Sequence, residues 1–138
     1  MKATQKKTMM AIAITLLIVG GSLTLPAAQA QQAGIKRTDL QRHDLSAPGR
    51  EAVQVRVDID PGHAFGRHTH PGEEIIFVLE GTLEYEVDGK APVTLKAGDV
   101  LFIPAGTVHA ARNPGSVVGS ELATYIVEKD KPIVTLVK

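Results

Sequence analysis

Four side chains of this sequence have the types and spacing of a metal-binding site. His68 and His70 are two residues apart, so on a β-strand they project from the same face and can converge on one ion. Glu74 follows across the Pro71-Gly72 turn, where an adjacent strand can bring its carboxylate beside the histidines. His109 comes 35 residues after Glu74, at the far end of another strand. Imidazole and carboxylate ligands together suit Fe, Mn, Co, Ni, Cu or Zn.

Spacing alone leaves alternatives open around this candidate site. The histidine pair by itself is as compatible with a structural role as with metal binding. Glu73 competes with Glu74 for the position of the carboxylate ligand. The two other histidines of the chain, His43 and His63, are expected to be surface or hydrogen-bonded residues without a role in the site.

Short β-strands are the elements that must hold these side chains in place. Apolar residues at every second position from Val53 to Ile59 alternate with polar ones, which is the period of a half-buried strand. Turn sequences rich in glycine and proline recur from Pro61-Gly62 to Pro114-Gly115 and divide the chain into pieces of about six to ten residues. After residue 30 no segment has a helical apolar period over three turns, so we predict an all-β domain. The predicted strands lie near 53–60, 64–70, 74–80, 82–88, 92–96, 99–103, 107–112, 118–128 and 133–137.

The first 30 residues have the pattern of a secretory signal peptide. Three lysines in the first seven residues precede an uncharged stretch from Thr8 to Ile35, whose most apolar part is Met9–Val19. The small-residue triplet Ala28-Gln29-Ala30 then matches a cleavage site. We predict cleavage after Ala30 and a periplasmic or secreted protein that is not attached to a membrane. Retention of the segment as an N-terminal anchor is the alternative.

The remaining chain is expected to consist of a polar N-terminal arm at 31–50 and one domain at 51–138. The arm is interrupted by Pro48-Gly49 and is expected to hold one short irregular strand. After cleavage 12 basic and 15 acidic residues remain, a net charge of −3, and no basic stripe favours nucleic-acid binding. The chain has no cysteine, so disulfides and thiolate ligands are excluded.

Two motifs around the candidate ligands resemble those of the cupin superfamily. The first consists of Gly62, five residues, His68-Thr69-His70, three residues, Glu74, six residues and Gly81. The second consists of Gly98, five residues, Pro104-Ala105-Gly106, two residues, His109, three residues and Asn113. Every position of both family patterns is filled at the family's spacing, and 16 residues separate the motifs, close to the shortest separation in small microbial members. The resemblance covers roughly residues 50–128.

The resemblance implies a single cupin jelly-roll β-barrel with His68, His70, Glu74 and His109 as ligands of one divalent transition metal ion. Asn113 is expected to organise a turn, and Glu74 is also the candidate general base. The sequence leaves the metal open among Mn, Fe, Ni, Cu and Zn. Three histidines and one glutamate would leave two positions of an octahedral ion open for water, a substrate or O₂.

Strand parity predicts the walls of the pocket around the ion. Ala64 and Gly66 share a face with the histidine pair, so small side chains are expected beside the ion. Phe102 is expected to close one side of an otherwise aliphatic pocket, which would favour an aromatic or carbonyl-bearing molecule over a heavily charged one. Tyr85 is expected either to reach into the pocket or to pack in the core with its hydroxyl at the rim.

Three classes of function are compatible with these features. The first is a metal-dependent enzyme acting on a small organic molecule, a dioxygenase by resemblance to quercetin dioxygenase-like cupins. The second is a non-catalytic cupin that binds or senses a metal or small ligand, and the third is an O₂-independent isomerase, lyase or decarboxylase. Fold does not select among them. A homodimer is expected, because a small domain without disulfides gains stability by burying one apolar sheet face against a second copy.

Overall fold

The computed structural model describes residues 32–138, which fold into β-strands, turns and loops without a helix. The predicted signal peptide at residues 1–30 lies outside the described residues. Within 32–138 there is no helix long and apolar enough to span a membrane. The ten strands are β1 (Ile35–Asp44), β2 (Arg50–Ile59), β3 (Ala64–Thr69), β4 (Gly72–Glu80), β5 (Thr82–Val87), β6 (Val93–Lys96), β7 (Val100–Ile103), β8 (His109–Arg112), β9 (Gly119–Glu128) and β10 (Thr135–Leu136).

The strands form two five-stranded antiparallel sheets packed face to face. One sheet has the order β1-β2-β9-β4-β7 and the other the order β10-β3-β8-β5-β6. Apart from the adjacent pairs β1–β2 and β5–β6, sequential strands alternate between the sheets, as in a jelly roll, and the predicted all-β fold is confirmed. The side chains that face inward from both sheets form one apolar core between them.

Strand β2 illustrates why the sequence folds in this way. Its side chains alternate between buried and half-buried positions along the whole strand, as the period of two predicts. The buried set faces the second sheet, and the polar set faces solvent. The buried apolar residues of this strand are Val53, Val55, Val57 and Ile59.

The N-terminal segment differs from its prediction as an arm with one short irregular strand. It forms the ten-residue strand β1, which pairs along its length with β2 and has a single register shift between Asp39 and Gln41. Only Ile35 is buried and Arg37 half-buried, while the rest of β1 is exposed. The strand is held mainly by backbone hydrogen bonds to β2, so it carries no apolar alternation that the sequence could reveal.

The C-terminal segment pairs within its own chain. Thr135 and Leu136 form β10 and lie opposite Thr69 and His68 of β3. The segment therefore completes a sheet of its own chain. The strand is shorter than the predicted 133–137.

Candidate metal centre

The predicted histidines come together inside the barrel. His68 lies near the end of β3, His70 directly follows that strand, and His109 begins β8. All three are buried. Their candidate ligand atoms lie within 4.8 Å of one another, and they form the only such group of three or more metal-ligating side chains in residues 32–138.

Glu74 reaches the same point from the opposite sheet. Its Oε2 atom lies 3.0 Å from Nε2 of His109 and 3.2 Å from Nε2 of His70. Side chains alternate along β4, so Glu74 is buried while Glu73 is half-buried on the other face. The structure therefore brings Glu74 to the histidines and leaves Glu73 away from them, as the motif spacing predicts.

Backbone carbonyls orient all three imidazole rings. Nδ1 of His68 lies 2.8 Å from the carbonyl oxygen of Gly66, and Nδ1 of His109 lies 2.9 Å from that of Thr107. Nδ1 of His70 lies 2.6 Å from the carbonyl oxygen of Ile133, which is 63 residues away in sequence. A carbonyl oxygen only accepts, so each Nδ1 carries the proton. In the neutral rings, each Nε2 then has a free lone pair.

This arrangement fits a bound cation. Nε2 of His70 is the one buried side-chain polar atom in the described chain that has no hydrogen-bond partner, although it lies 3.2 Å from Glu74. A lone pair on Nε2 of His70 would repel the Glu74 carboxylate that it faces, and a positive ion between the two atoms would remove that repulsion. Neighbouring ligand atoms on an octahedral ion with bonds of about 2.1 Å are separated by roughly 3 Å, close to the spacing of these groups. The donor set of three imidazoles and one carboxylate suits a divalent transition metal.

The protonation of these groups in the metal-free protein has identifiable causes. Burial, followed by the charge of His109, lowers the pKa of His68 to about 3, so this imidazole is neutral at pH 7. Burial also disfavours the charged form of His109, but the contact with Glu74 outweighs it, and the net pKa is raised. Burial alone would raise the pKa of Glu74, yet its close contacts to His109 and His70 lower it to about 2. Glu74 is therefore ionised at neutral pH, and its negative charge favours a cation between it and the histidines.

Local backbone geometry sets the positions of the ligand-bearing segments. His68 on β3 lies directly opposite His109 on β8, which places both rings at one level of the barrel. Gly106 has a φ of 70°, in the left-handed region, in the turn before β8. Its amide donates to the carbonyl oxygen of His70 at 3.2 Å, so the turn that precedes His109 is attached to the segment that carries His70.

A small cavity adjoins the histidines, with a volume of about 10 Å³, roughly that of one water molecule. Its walls include His68, Glu74 and His109 together with core residues of both sheets. The sequence interpretation missed three polar residues that line it, which are Arg37, Glu121 and Tyr125. Glu121 could have been found by parity, because it shares the inward phase of β9 with Ala123, Tyr125 and Val127.

Tyr85 and Glu121 form a buried pair in this cavity. The Tyr85 hydroxyl donates to Oε2 of Glu121, and both residues are buried. Burial, followed by the negative charge of Glu74, raises the pKa of Glu121 to about 8. Burial also raises the pKa of Tyr85 above its ordinary range. Tyr85 therefore lines the cavity, and its hydroxyl is not at the rim.

The comparisons with known proteins agree with this geometry. A family profile described as Cupin domain matches residues 55–125, about half of the chain, and this segment contains all four candidate ligands. The chain belongs to the cupin family. Arg37 on β1 and Ile133, whose carbonyl accepts from His70, lie outside the segment matched by the cupin profile.

Relatives within the cupin family have different names and lengths. An oxalate-binding protein of Thermotoga maritima is 38% identical over 117 residues, which cover 82% of this chain and 96% of that protein. A germin-like protein of Arabidopsis thaliana, subfamily 2 member 1, is 37% identical over 89 residues, which cover 59% of this chain. The chain spans only about two fifths of that germin-like protein, at 41% of its length. The crystal structure of the dimethylsulfoniopropionate lyase DddQ from Ruegeria pomeroyi superposes with a TM-score of 0.57 at 29% identity, covering 62% of this chain and 42% of that chain.

Two predicted features of the cupin pocket are wrong. Ala64 and Gly66 are exposed, because a register shift between Phe65 and His68 reverses the side-chain parity, and Phe65 lines the cavity instead. Phe102 does not close the pocket, since it lies on the outer face of β7 and is 52% exposed. Ile76 of β4 lines the cavity and supplies part of the expected aliphatic wall.

Asn113 of the second cupin motif and the two other histidines of the chain lie outside the ligand cluster. Asn113 is buried, and its side-chain amide donates to the carbonyl oxygens of Ile59 and Val117 at 2.8 and 2.7 Å, so it organises a turn as expected. His43 is exposed, and the exposed His63 contacts the carbonyl oxygen of Pro61 through Nδ1. Neither histidine belongs to the ligand cluster of the described chain.

Proposed function

We propose that this cupin binds one divalent transition metal ion through His68, His70, Glu74 and His109, and that a small organic molecule binds beside the ion. The observation that carries the proposal is the unpartnered, buried Nε2 of His70. This atom lies 3.2 Å from Oε2 of Glu74. In each of the three histidines the other ring nitrogen, Nδ1, contacts a backbone carbonyl oxygen. A set of nitrogen lone pairs prepared in this way suits a metal better than a hydrogen-bond network.

The protein's own groups define what such a site could do. Four protein ligands leave two positions of an octahedral ion open, and the bound ion would supply Lewis-acid polarisation of an oxygen-bearing ligand there. The carbonyls of Gly66, Thr107 and Ile133 hold the imidazoles in place. The surrounding barrel core limits access of water, since the adjoining cavity has room for about one water molecule.

The similarity to known proteins supports a small oxygen-bearing ligand. The relative named as an oxalate-binding protein aligns over 96% of its own length, so its named ligand concerns a protein of the same extent. The germin-like relative aligns over 41% of its length and gives less support for a shared ligand. A non-catalytic binding or sensing role and a catalytic role both use the same metal site.

The metal proposal is tested on the purified full chain by metal analysis and by titration of the metal-free protein with Mn²⁺, Fe²⁺, Ni²⁺ and Zn²⁺. Binding is expected to raise the unfolding temperature, because a ligand of the native state stabilises it by mass action. His68→Ala should abolish the shift, whereas His43→Ala, at an exposed position, should preserve it. Absence of bound ion and of any thermal shift in the wild type would overturn the proposal.

A second candidate function is an O₂-independent lyase or decarboxylase. It is supported by the buried Tyr85–Glu121 pair, in which a raised pKa keeps a transferable proton on Glu121 at neutral pH beside the candidate ligands. The structural similarity to a dimethylsulfoniopropionate lyase agrees with it. Glu74 remains an alternative general base for such a reaction. Product formed from a panel of small carboxylic acids under anaerobic conditions would support this candidate, and loss of turnover without O₂ would support the dioxygenase-like alternative.

Self-association as a homodimer is part of the proposal. The outer face of β4 and β7 carries large exposed apolar residues, and β7 is the edge strand of its sheet. These residues are Ile75, Phe77, Leu79, Val100 and Phe102. Analytical ultracentrifugation at micromolar concentration should find a dimer for the wild type and for Leu40→Asp, an exposed position on β1 at the opposite edge of the same sheet, and a monomer for Phe77→Asp. A wild-type monomer would exclude the dimer.

Export with cleavage after Ala30 also remains a proposal. Its support is the order of lysines, apolar stretch and small-residue triplet in the sequence. Mass analysis of the protein recovered from the native host should find Gln31 at the N-terminus. A product that retains Met1 would contradict cleavage.

A further inference from the structure

Arg37 is the one arginine or lysine among the described residues that line the cavity beside the histidines. It lies on β1 directly opposite Val57 of β2. Residues directly opposite each other in an antiparallel pair share a face, and Val57 is buried in the core. The register of β1 therefore directs the Arg37 side chain inward, although the strand lies at the edge of its sheet.

The aromatic rings of Phe65 and Tyr125 lie between the guanidinium of Arg37 and the candidate metal ligands. Its central carbon lies 5.8 Å from the ring centroid of Phe65 and 5.8 Å from that of Tyr125. The Phe65 ring is 4.5 Å from the His68 ring, and the Tyr125 ring is 4.7 Å from the His70 ring. A small molecule that contacts Arg37 could thus also reach the centre of the histidine cluster.

Arg37 interacts with the Tyr125 side chain and, electrostatically, with Glu121, but no carboxylate within residues 32–138 is in direct contact with its guanidinium. No ion pair joins it to any residue in the described part of the chain. Both acidic residues of the cavity are already engaged: Glu74 contacts His70 and His109, and Glu121 accepts from the Tyr85 hydroxyl. A half-buried guanidinium that lines a cavity and makes no direct ion pair is suited to bind an anion from outside.

We propose that Arg37 is the carboxylate-binding residue of this site, and that the cavity selects small carboxylates whose second oxygen donor reaches the metal. The inference rests on the proposed metal site and specifies the class of ligand that it takes. Because the cavity has a volume of only about 10 Å³, a bound carboxylate would displace the Arg37 side chain from its position over the two rings, and the guanidinium would then contact the ligand from the edge of the cavity. Its half-exposed position at a sheet edge permits that movement.

A structural alternative is that Arg37 only holds β1 against Phe65 and Tyr125 by stacking on their rings. The two roles differ in their consequences for ligand charge. A carboxylate-binding residue discriminates an anion from its neutral amide, whereas a stacking residue does not. The neutral amide of the same acid is therefore the informative control ligand.

The experiment measures binding of oxalate, malonate and acetate to the full-length, Ni²⁺-loaded protein by calorimetry, with oxamide as the neutral analogue of oxalate. Arg37→Gln should weaken carboxylate binding by about tenfold or more while changing oxamide and Ni²⁺ binding by less than about twofold. Arg37→Lys keeps the charge without the bidentate fork and should lie between the wild type and Arg37→Gln. The matched control is Arg67→Gln, which removes an exposed arginine of β3 and should leave all affinities unchanged.

The outcomes separate the inference from the proposed function. A wild type that binds no divalent ion overturns both. A wild type that binds Ni²⁺ but none of the three carboxylates overturns the role of Arg37 and leaves the metal site standing. Equal carboxylate affinity in wild type and Arg37→Gln does the same. If Arg37→Gln does not fold, as judged by circular dichroism, the comparison is made with Arg37→Lys, whose unchanged carboxylate affinity would contradict a bidentate contact.

Discussion

The two walls of the cavity are held by different kinds of contact. On the histidine wall, each imidazole is oriented by a backbone carbonyl, so its position follows from the fold itself. On the opposite wall, Arg37 lies over two aromatic rings and Glu121 is held by the Tyr85 hydroxyl, so each position depends on neighbouring side chains. The histidine wall therefore keeps its arrangement of candidate metal ligands as long as the barrel folds. The opposite wall can change with single substitutions, and we infer that it determines which ligand binds.

The largest effect is expected from removing a histidine. His109→Ala deletes a ligand nitrogen and leaves Glu74 without its 3.0 Å partner. Loss of outer-shell partners alone weakens metal binding by about 10–100-fold, so loss of a ligand should exceed about a hundredfold. Calorimetric titration with Ni²⁺ measures this, with the exposed His63→Ala as control. Retained affinity in His109→Ala would show that the histidine wall does not act as a metal site.

The second-largest effect is expected from Glu121→Gln on the opposite wall, which should change the pH dependence of the free energy of unfolding. In the metal-free protein the pKa of Glu121 is raised from 4.5 to about 8, so between these values the folded state holds a proton that the unfolded state has released. The contribution of this group to the free energy of unfolding is thus present below pH 4.5 and is lost as pH rises toward 8, by up to about 1.4 kcal/mol per pH unit. Urea denaturation from pH 5 to 9 should show this slope to be smaller in Glu121→Gln. Parallel profiles for the two proteins would argue against a buried proton at Glu121.

A smaller effect on the free energy of unfolding is expected when only the hydrogen bond from Tyr85 to Glu121 is removed. Tyr85→Phe leaves the buried Glu121 carboxyl without its donor and should lower the free energy of unfolding by about 1–3 kcal/mol. The Ni²⁺ affinity should stay within about twofold of the wild type, because Tyr85 contacts none of the carbonyls that orient the histidines. A large loss of metal affinity would show that the two walls are coupled.

The smallest effect is expected outside both walls. Arg112 on β8 forms an exposed ion pair with Glu84 at 2.7 Å, close in sequence to His109 but on the outer face of the sheet. Arg112→Gln should change the free energy of unfolding by less than about 1 kcal/mol, without an effect on metal or carboxylate binding. Thermal unfolding and the same calorimetric titrations test this. A change in ligand affinity would mean that the cavity responds to charge on the outer surface.

The histidine wall could be predicted from the sequence because its determinants are local. His68 and His70 are two residues apart at the end of β3, and glycine-containing turns bring Glu74 and His109 to them. The opposite wall could not be predicted as easily. Arg37 lies inward only because β1 pairs in register with β2, and a register shift after Phe65 exchanges which side chains of β3 face the cavity. Both depend on strand pairing, which an alternation pattern in one segment does not specify.

The hydrogen bond between His70 and the Ile133 carbonyl has a consequence for how the domain can be dissected. The segment matched by the cupin profile ends at residue 125, so an excised fragment with those limits would contain every candidate ligand and lack the group that orients one of them. Such a fragment would retain the motifs of the family but lose the contact that fixes the orientation of the His70 ring. C-terminal truncations and fusion partners placed close to residue 133 should therefore be chosen with the metal centre in mind, although this part of the chain contributes no ligand.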